Sequence, residues 1–310
     1  MPTFHKISLR ERLDATTEKL RSPVPRTLYH YTSAAGFNGI IQFAELWASN
    51  ARYLNDSAEI RLGIRHVKSI LKSHRRKQLV PERSALLEYL WKYVRLLESV
   101  EDRIYAVCFC EQDDLLGQWR GYANMGGGYS LGFDPQRFNF DLEEDLQPRL
   151  VRVIYDTGAQ RKVIRDVLEE AYDWLASLSL RRRAKEIEPA ADEVIITLFG
   201  LVAAFKDDSF KAEREWRLVY TPSIEWLAKN LRFLDYGAWL KPYIISRPWP
   251  AKQPAPIVSV TCGPSLNAQL SVAAVRLELQ RHSYLPMRIR PGDRLPVDVR
   301  ASKVPFRYSR

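Results

Sequence analysis

The chain is poor in cysteine, histidine and glycine, and each scarcity closes off a class of structure. Three cysteines (Cys108, Cys110, Cys262) in 310 residues make an odd number with no C-x-x-C pair. No disulfide framework or thiolate metal site is expected, and the three read as free thiols placed like small apolar residues. The five histidines show no H-x-x-x-H or other ligand spacing, so no structural zinc site is expected. No run nears the roughly 20 apolar residues needed to span a bilayer. The opening residues MPTFHKISLRERL carry no apolar stretch of signal-peptide type. The reading is of a soluble cytoplasmic protein with no membrane contact. Repeats, low-complexity tracts and Gly/Ser linkers are missing too, which excludes solenoids and flexible multidomain strings.

What is present is ordinary globular material: 46% hydrophobic and 27% charged residues, enough to build one large core or two smaller ones. Charge is uneven. The net value is +10, and residues 241–310 hold 12 Lys/Arg against 3 Asp/Glu. Residues 111–145 hold 8 Asp/Glu against Arg120 and Arg137. A basic C-terminal region attracts polyanions, either nucleic acid or a phosphorylated cofactor.

Local pattern gives the elements. Ser8 and Glu11 fit a capping box for a short helix that Ser22-Pro-Val-Pro25 ends. Residues 1–26 are therefore an N-terminal helical arm, and 27–310 a single α+β domain. Thr27–Tyr31 reads as a strand, Ser33 as the cap of a helix through Phe43, and Leu46–Ser49 as another strand. Helical spacing over 58–78 and 82–100, and again over 159–183 and 190–206, predicts large helical insertions near 58–100 and 159–206. The run Lys68 to Lys77 reads as a wet helix face. Strands are expected at Arg103–Cys110, Tyr129–Phe133, Leu150–Tyr155 and Glu215–Tyr220, with several more within 231–262. Asn267–Arg281 reads as a helix with Leu270, Val275, Leu277 and Leu279 available for burial, and Pro286–Ile289 as a last strand. Strands scattered among helices without steady alternation give α+β rather than a doubly wound sheet.

Two tempting motifs fail on context. Gly128-Tyr-Ser130-Leu-Gly132 matches G-x-S-x-G, but its serine lies inside an apolar strand and no helix follows. The glycines 126–128 lack the Gly-Lys-Ser/Thr of a phosphate loop. Three clusters carry more. Tyr29-His30-Tyr31-Thr32-Ser33 places polar groups where a strand hands over to a helix. Asn55-Asp56-x-x-Glu59 offers oxygens beside a turn. Lys211-Ala-Glu213-Arg-Glu215-Trp-Arg217, read as a strand, puts Glu213, Glu215 and Arg217 on one face. Two carboxylates sharing a face either retain a proton or need Arg217 as compensation.

These clusters resemble a bacterial family known as domain of unknown function 2971. The likeness runs through Tyr29-His-Tyr-Thr, Trp47-Ala-Ser, Tyr53 to Glu59, Cys108-Phe-Cys, Gln118 to Ala123 and Gly128 to Phe133. It continues through Glu213 to Arg217, Cys262-Gly-Pro and Pro305-Phe-Arg307. A second resemblance is to ADP-ribosyltransferases that use His, Tyr and Glu. It implies mixed or antiparallel strands in two facing sheets with NAD, as substrate, in the cleft between them. It further implies His30 on a ribose hydroxyl, Tyr31 and Thr32 at the nicotinamide end, Glu215 as catalytic carboxylate and Glu213 assisting. The stacking aromatic stays open among Tyr53, Tyr122 and Trp119, with Asn55 and Arg217 also placed at the cofactor. A bacterial toxin or phage-defence effector modifying nucleic acid or protein is the implied setting. The alternatives are a Mg-dependent nuclease or phosphoesterase using Asp56, Glu59, Glu213 and Glu215, and a nucleotide-binding module without catalysis.

Overall fold

The computed structural model describes residues 7–21, 23–54, 59–75, 80–96, 103–122, 127–146, 148–235, 237, 239–265, 267–290 and 293–305. Asn55 and Asp56 lie outside the described residues, as does the closing Phe306-Arg307.

Ten strands are described: β1 (Leu28–Thr32), β2 (Leu46–Asn50), β3 (Tyr105–Cys110), β4 (Tyr129–Phe133), β5 (Arg149–Arg152), β6 (Glu215–Tyr220), β7 (Arg232–Asp235), β8 (Leu240–Ser246), β9 (Ile257–Cys262) and β10 (Asp298–Ala301). The α-helices among the described residues are α1 (Leu9–Thr17), α2 (Ala34–Phe43), α3 (Glu59–Arg75), α4 (Pro81–Leu96), α5 (Leu116–Tyr122), α6 (Thr157–Ala176), α7 (Leu180–Val202), α8 (Ile224–Asn230) and α9 (Ala268–Arg281). The fold is α+β.

All ten described strands join one mixed sheet, not the two facing sheets that the resemblance implied, because β3 pairs on both edges and ties the arms into one hydrogen-bonded network. Every pairing is antiparallel except β9 with β10, which the α9 crossover makes parallel. The sheet forks at β3. Along one edge β3 pairs with β6 over its whole length, from Tyr105↔Tyr220 to Cys110↔Glu215. Its other edge is shared. β2 takes the start (Ser49↔Ala106, Asn50↔Tyr105) and β1 takes only the end (Tyr29↔Cys110). One arm then runs β1-β4-β9-β10, a second β2-β8-β7, and β5 closes the third beyond β6. Between the arms, residues 107–109 of β3 have no strand on that edge.

Strand alternation sends Leu28, Leu46, Ala48, Val107, Phe109, Trp216, Leu218 and Ile244 to one face, where Phe37 and Ile41 of α2 and Leu279 of α9 cover them. On the other face a helical layer of α1, α3, α4, α6 and α7 packs around Val67, Leu90, Ile164, Val167, Val194 and Leu198, reaching the sheet at Val151 and Val219. Ser8 and Glu11 form the capping box of α1, and Leu9 and Leu13 sink into this layer, with Arg12 bound to Glu170 of α6 at 3.0 Å. The N-terminal arm is thus built into the helical layer.

Three further expectations are corrected. Helix α7 runs straight through Pro189, because the chain already breaks at Ser177–Ser179, where Arg183 binds the carbonyls of Ala176 and Leu178. Burial of Ala190, Ala191, Val194 and Leu198 outweighs the lost proline hydrogen bond. Leu270 and Leu277 of α9 are exposed, while Val275 and Leu279 are buried. Residues 286–289 form no strand; the last one is β10.

Candidate functional site

The fork at β3 is where the polar side chains gather. His30, on the β1 arm, turns its ring into the opening and bonds the Cys108 carbonyl through Nδ1 at 2.9 Å. A carbonyl only accepts, so Nδ1 carries the proton and Nε2 is left as an acceptor. Burial lowers the His30 pKa, partly offset by that hydrogen bond, so the ring is neutral at pH 7. Among the described residues Nε2 has no hydrogen-bond partner.

Across the opening stands a charged quartet. Asp207 caps a tight turn over Asp208–Glu213, and Arg214 takes a left-handed conformation (φ 45°) that ends it. Strand β6 therefore starts at Glu215, and Glu213 does not share a strand face with it, contrary to the sequence reading. Lys206 joins the two carboxylates instead. Its Nζ donates to Glu213 Oε2 at 2.7 Å and Glu215 Oε2 at 2.9 Å. Arg217 donates to Glu215 from Nε at 2.7 Å and from its second guanidinium nitrogen at 2.9 Å, and to the Ala203 carbonyl at 2.8 Å.

Burial pushes the Glu215 carboxyl up, but Arg217 and then Lys206 outweigh it and hold it at about 2. Glu215 therefore keeps no proton at neutral pH. Both oxygens of Glu215 are engaged. Glu213, partly exposed, keeps Oε1 without a partner among the described residues. The Cys108 thiol, raised well above its ordinary range by burial and then by Glu215, stays protonated.

Helix α5 supplies the remaining wall. Gln118 and Tyr122 lie four residues apart, hence on one helical face, and line the same cavity as His30, Cys108, Glu213 and Glu215. Burial raises the Tyr122 phenol well above its usual range, so it remains a donor. Neither the Gln118 amide nor the Tyr122 hydroxyl has a hydrogen-bond partner among the described residues. In this closed form the cavity measures about 30 Å³, room for about one water.

The remaining candidates fall elsewhere. Tyr31 lines the wall, but its hydroxyl is spent on the Gln112 carbonyl and the Leu115 amide at 2.8 and 2.9 Å. Trp119 is fully buried, edge-on to Tyr31 and donating to Asp114 at 2.7 Å, so it has no free face for a ligand. Thr32 packs against α2 so closely that a Cβ on Gly36 would meet its Oγ1 at 2.0 Å. Tyr53 is exposed, edge-on to Trp239 at 6.1 Å, and does not line the cavity. Arg217 is buried, with its guanidinium bonded to Glu215 and to the Ala203 carbonyl. Sequence reasoning missed Lys206 and gave Gln118 no role. A single lysine after the apolar end of α7 carries no spacing signal, and Gln118 was visible only inside a motif.

Residues 118–218 match the family model described as protein of unknown function (DUF2971). Over that stretch the chain is similar to proteins of that family. No curated protein and no solved structure matches the chain. The matched DUF2971 region opens on Gln118 and closes just past Glu215 and Arg217, so its two ends meet at the cavity. Among the described residues no group of three His, Cys, Asp or Glu side chains could hold a metal ion, and no helix is long and apolar enough to cross a membrane.

Proposed function

We propose that this protein cleaves the nicotinamide–ribose bond of NAD, as an ADP-ribosyltransferase-type enzyme. One observation carries the reading: three polar groups without a partner among the described residues, His30 Nε2, the Gln118 amide and the Tyr122 hydroxyl, converge with the Glu213 and Glu215 carboxyl groups on one cavity. Polar groups left open side by side on one cavity are available to bond a ligand there. The forked sheet, with an arm on either side of the cavity, supports the same reading.

The chemistry follows from charge. The C–N bond breaks, its electron pair leaves with the nicotinamide nitrogen, and positive charge builds on the ribose. A fixed carboxylate beside that charge lowers the barrier electrostatically. Glu213, with a free Oε1, faces the sugar and accepts its 2′-hydroxyl. Glu215 holds Lys206 and Arg217 and thereby fixes Glu213. His30 Nε2 accepts a second ribose hydroxyl, and the Tyr122 ring stacks on nicotinamide. Entry of a ring requires Tyr122 to turn outward, because the closed cavity admits only water. The ribosyl carbon is then taken by water or by a nucleophile of a nucleic acid or protein. The exposed Arg276, Arg288, Arg290 and Arg294 favour a nucleic-acid acceptor. Loss of cellular NAD suits a toxin or defence effector. The Mg-dependent alternative has less support, because Glu213 and Glu215 already spend oxygens on Lys206.

The test is incubation with NAD, with and without RNA, DNA and protein, following nicotinamide release. Release by wild type and its loss in Glu213→Gln and His30→Ala support the reading. No release by folded wild type under any of these conditions overturns it.

A further inference from the structure

We infer that Gln118 selects a neutral carboxamide on the ligand and rejects the corresponding carboxylate. The inference rests on the NAD reading and deepens it by naming what the cavity recognises. Gln118 is 7% exposed. Its backbone amide is used within its own turn, bonding the Leu115 carbonyl at 3.0 Å, and its side-chain amide bonds no described residue. The backbone that carries it is held on both sides. The next residue, Trp119, is fastened to Asp114, and Leu115 is fastened to the Tyr31 hydroxyl. The open amide therefore stands on a fixed turn of the wall.

A primary amide offers one donor edge and one acceptor edge side by side. Its best complement is another primary amide, which closes two hydrogen bonds at once. A carboxylate in the same place would set its lone pairs against the Gln118 oxygen. It would also set a second acceptor beside the Glu213 Oε1, which has no donor among the described residues. Sites that bond a polar group reject the analogue that cannot answer it far more strongly than apolar pockets reject an extra methylene.

The experiment compares NAD with its deamidated analogue, nicotinic acid adenine dinucleotide, using full-length protein and following base release. Wild type should prefer NAD by at least tenfold in kcat/KM. Gln118→Leu and Gln118→Glu should each raise KM for NAD about tenfold, leave kcat nearly unchanged and erase the preference. Thermal melts check folding, and Gln118→Asn, which shortens the amide, replaces the leucine variant should it not fold. An unchanged KM and preference in these variants overturns the role of Gln118 while the NAD reading stands. Failure of wild type to act on either dinucleotide removes both.

Discussion

Two carboxylates two residues apart serve different ends. Glu215 is saturated by Arg217 and Lys206, so Glu215→Gln leaves two buried cations undercompensated. That change should cost about 3–5 kcal/mol, read by urea titration. Glu213→Gln should cost under about 1 kcal/mol yet abolish nicotinamide release. Equal loss of stability in both variants would refute this division. Acid sensitivity follows from the same pair. The folded Glu215 pKa of about 2 lies below its ordinary 4.5, so the unfolded chain binds the proton first. Its stabilisation is complete above pH 4.5 and is lost as pH falls toward 2, on the order of 3 kcal/mol. Denaturant titrations from pH 7 down should show the fall, and Glu215→Gln should flatten it. His30, whose pKa burial lowers, should leave NAD affinity level from pH 9 down to the ordinary histidine range and reduce it only below. At this scale the sequence showed His30, Glu213 and Glu215 as chemistry, and the three line one cavity. Which carboxylate is free depends on Lys206, and the turn that delivers Glu213 to it leaves no periodic trace.

Among elements, the joint between α5 and β1 sets the cavity wall. The Tyr31 hydroxyl donates to one carbonyl and accepts one amide of the segment leading into α5. Tyr31→Phe should cost about 1–3 kcal/mol by stranding both groups, measured by urea midpoint, and should raise KM for NAD by loosening Gln118. An unchanged midpoint would show that water replaces the hydroxyl. Helix starts were well marked in the sequence: the Ser8/Glu11 box and the Ser33 cap are both in place. Edges were less legible. β10 has the sequence Asp-Val-Arg-Ala and buries only Val299, so no alternation announces it, whereas the Leu-Pro-Met-Arg-Ile stretch before it is apolar enough to imitate a strand. The break between the helices expected over 159–183 and 190–206 lies earlier, at Ser177–Ser179, and tertiary packing carries α7 through Pro189.

For the whole molecule, the helical insertions and the N-terminal arm make one layer, which holds the sheet from the side opposite α2 and α9. Leu13 is buried in it, and Leu13→Ala should cost about 2–5 kcal/mol in a urea titration, although residue 13 is remote from the cavity. A cost near zero would mean that the arm is a loose appendage. The α+β class was readable from composition and pattern. The fork was not, because it depends on which strand shares which edge of β3, a matter of long-range pairing that leaves no mark on β3 itself. That fork has a cost to the protein. Where β1 parts from β3, a seam of the sheet stays unzipped, with an imidazole in place of a rung. Substitutions that closed the seam should make a firmer protein and fill the cavity with a strand, so in this fold the opening and a fully laced sheet exclude each other.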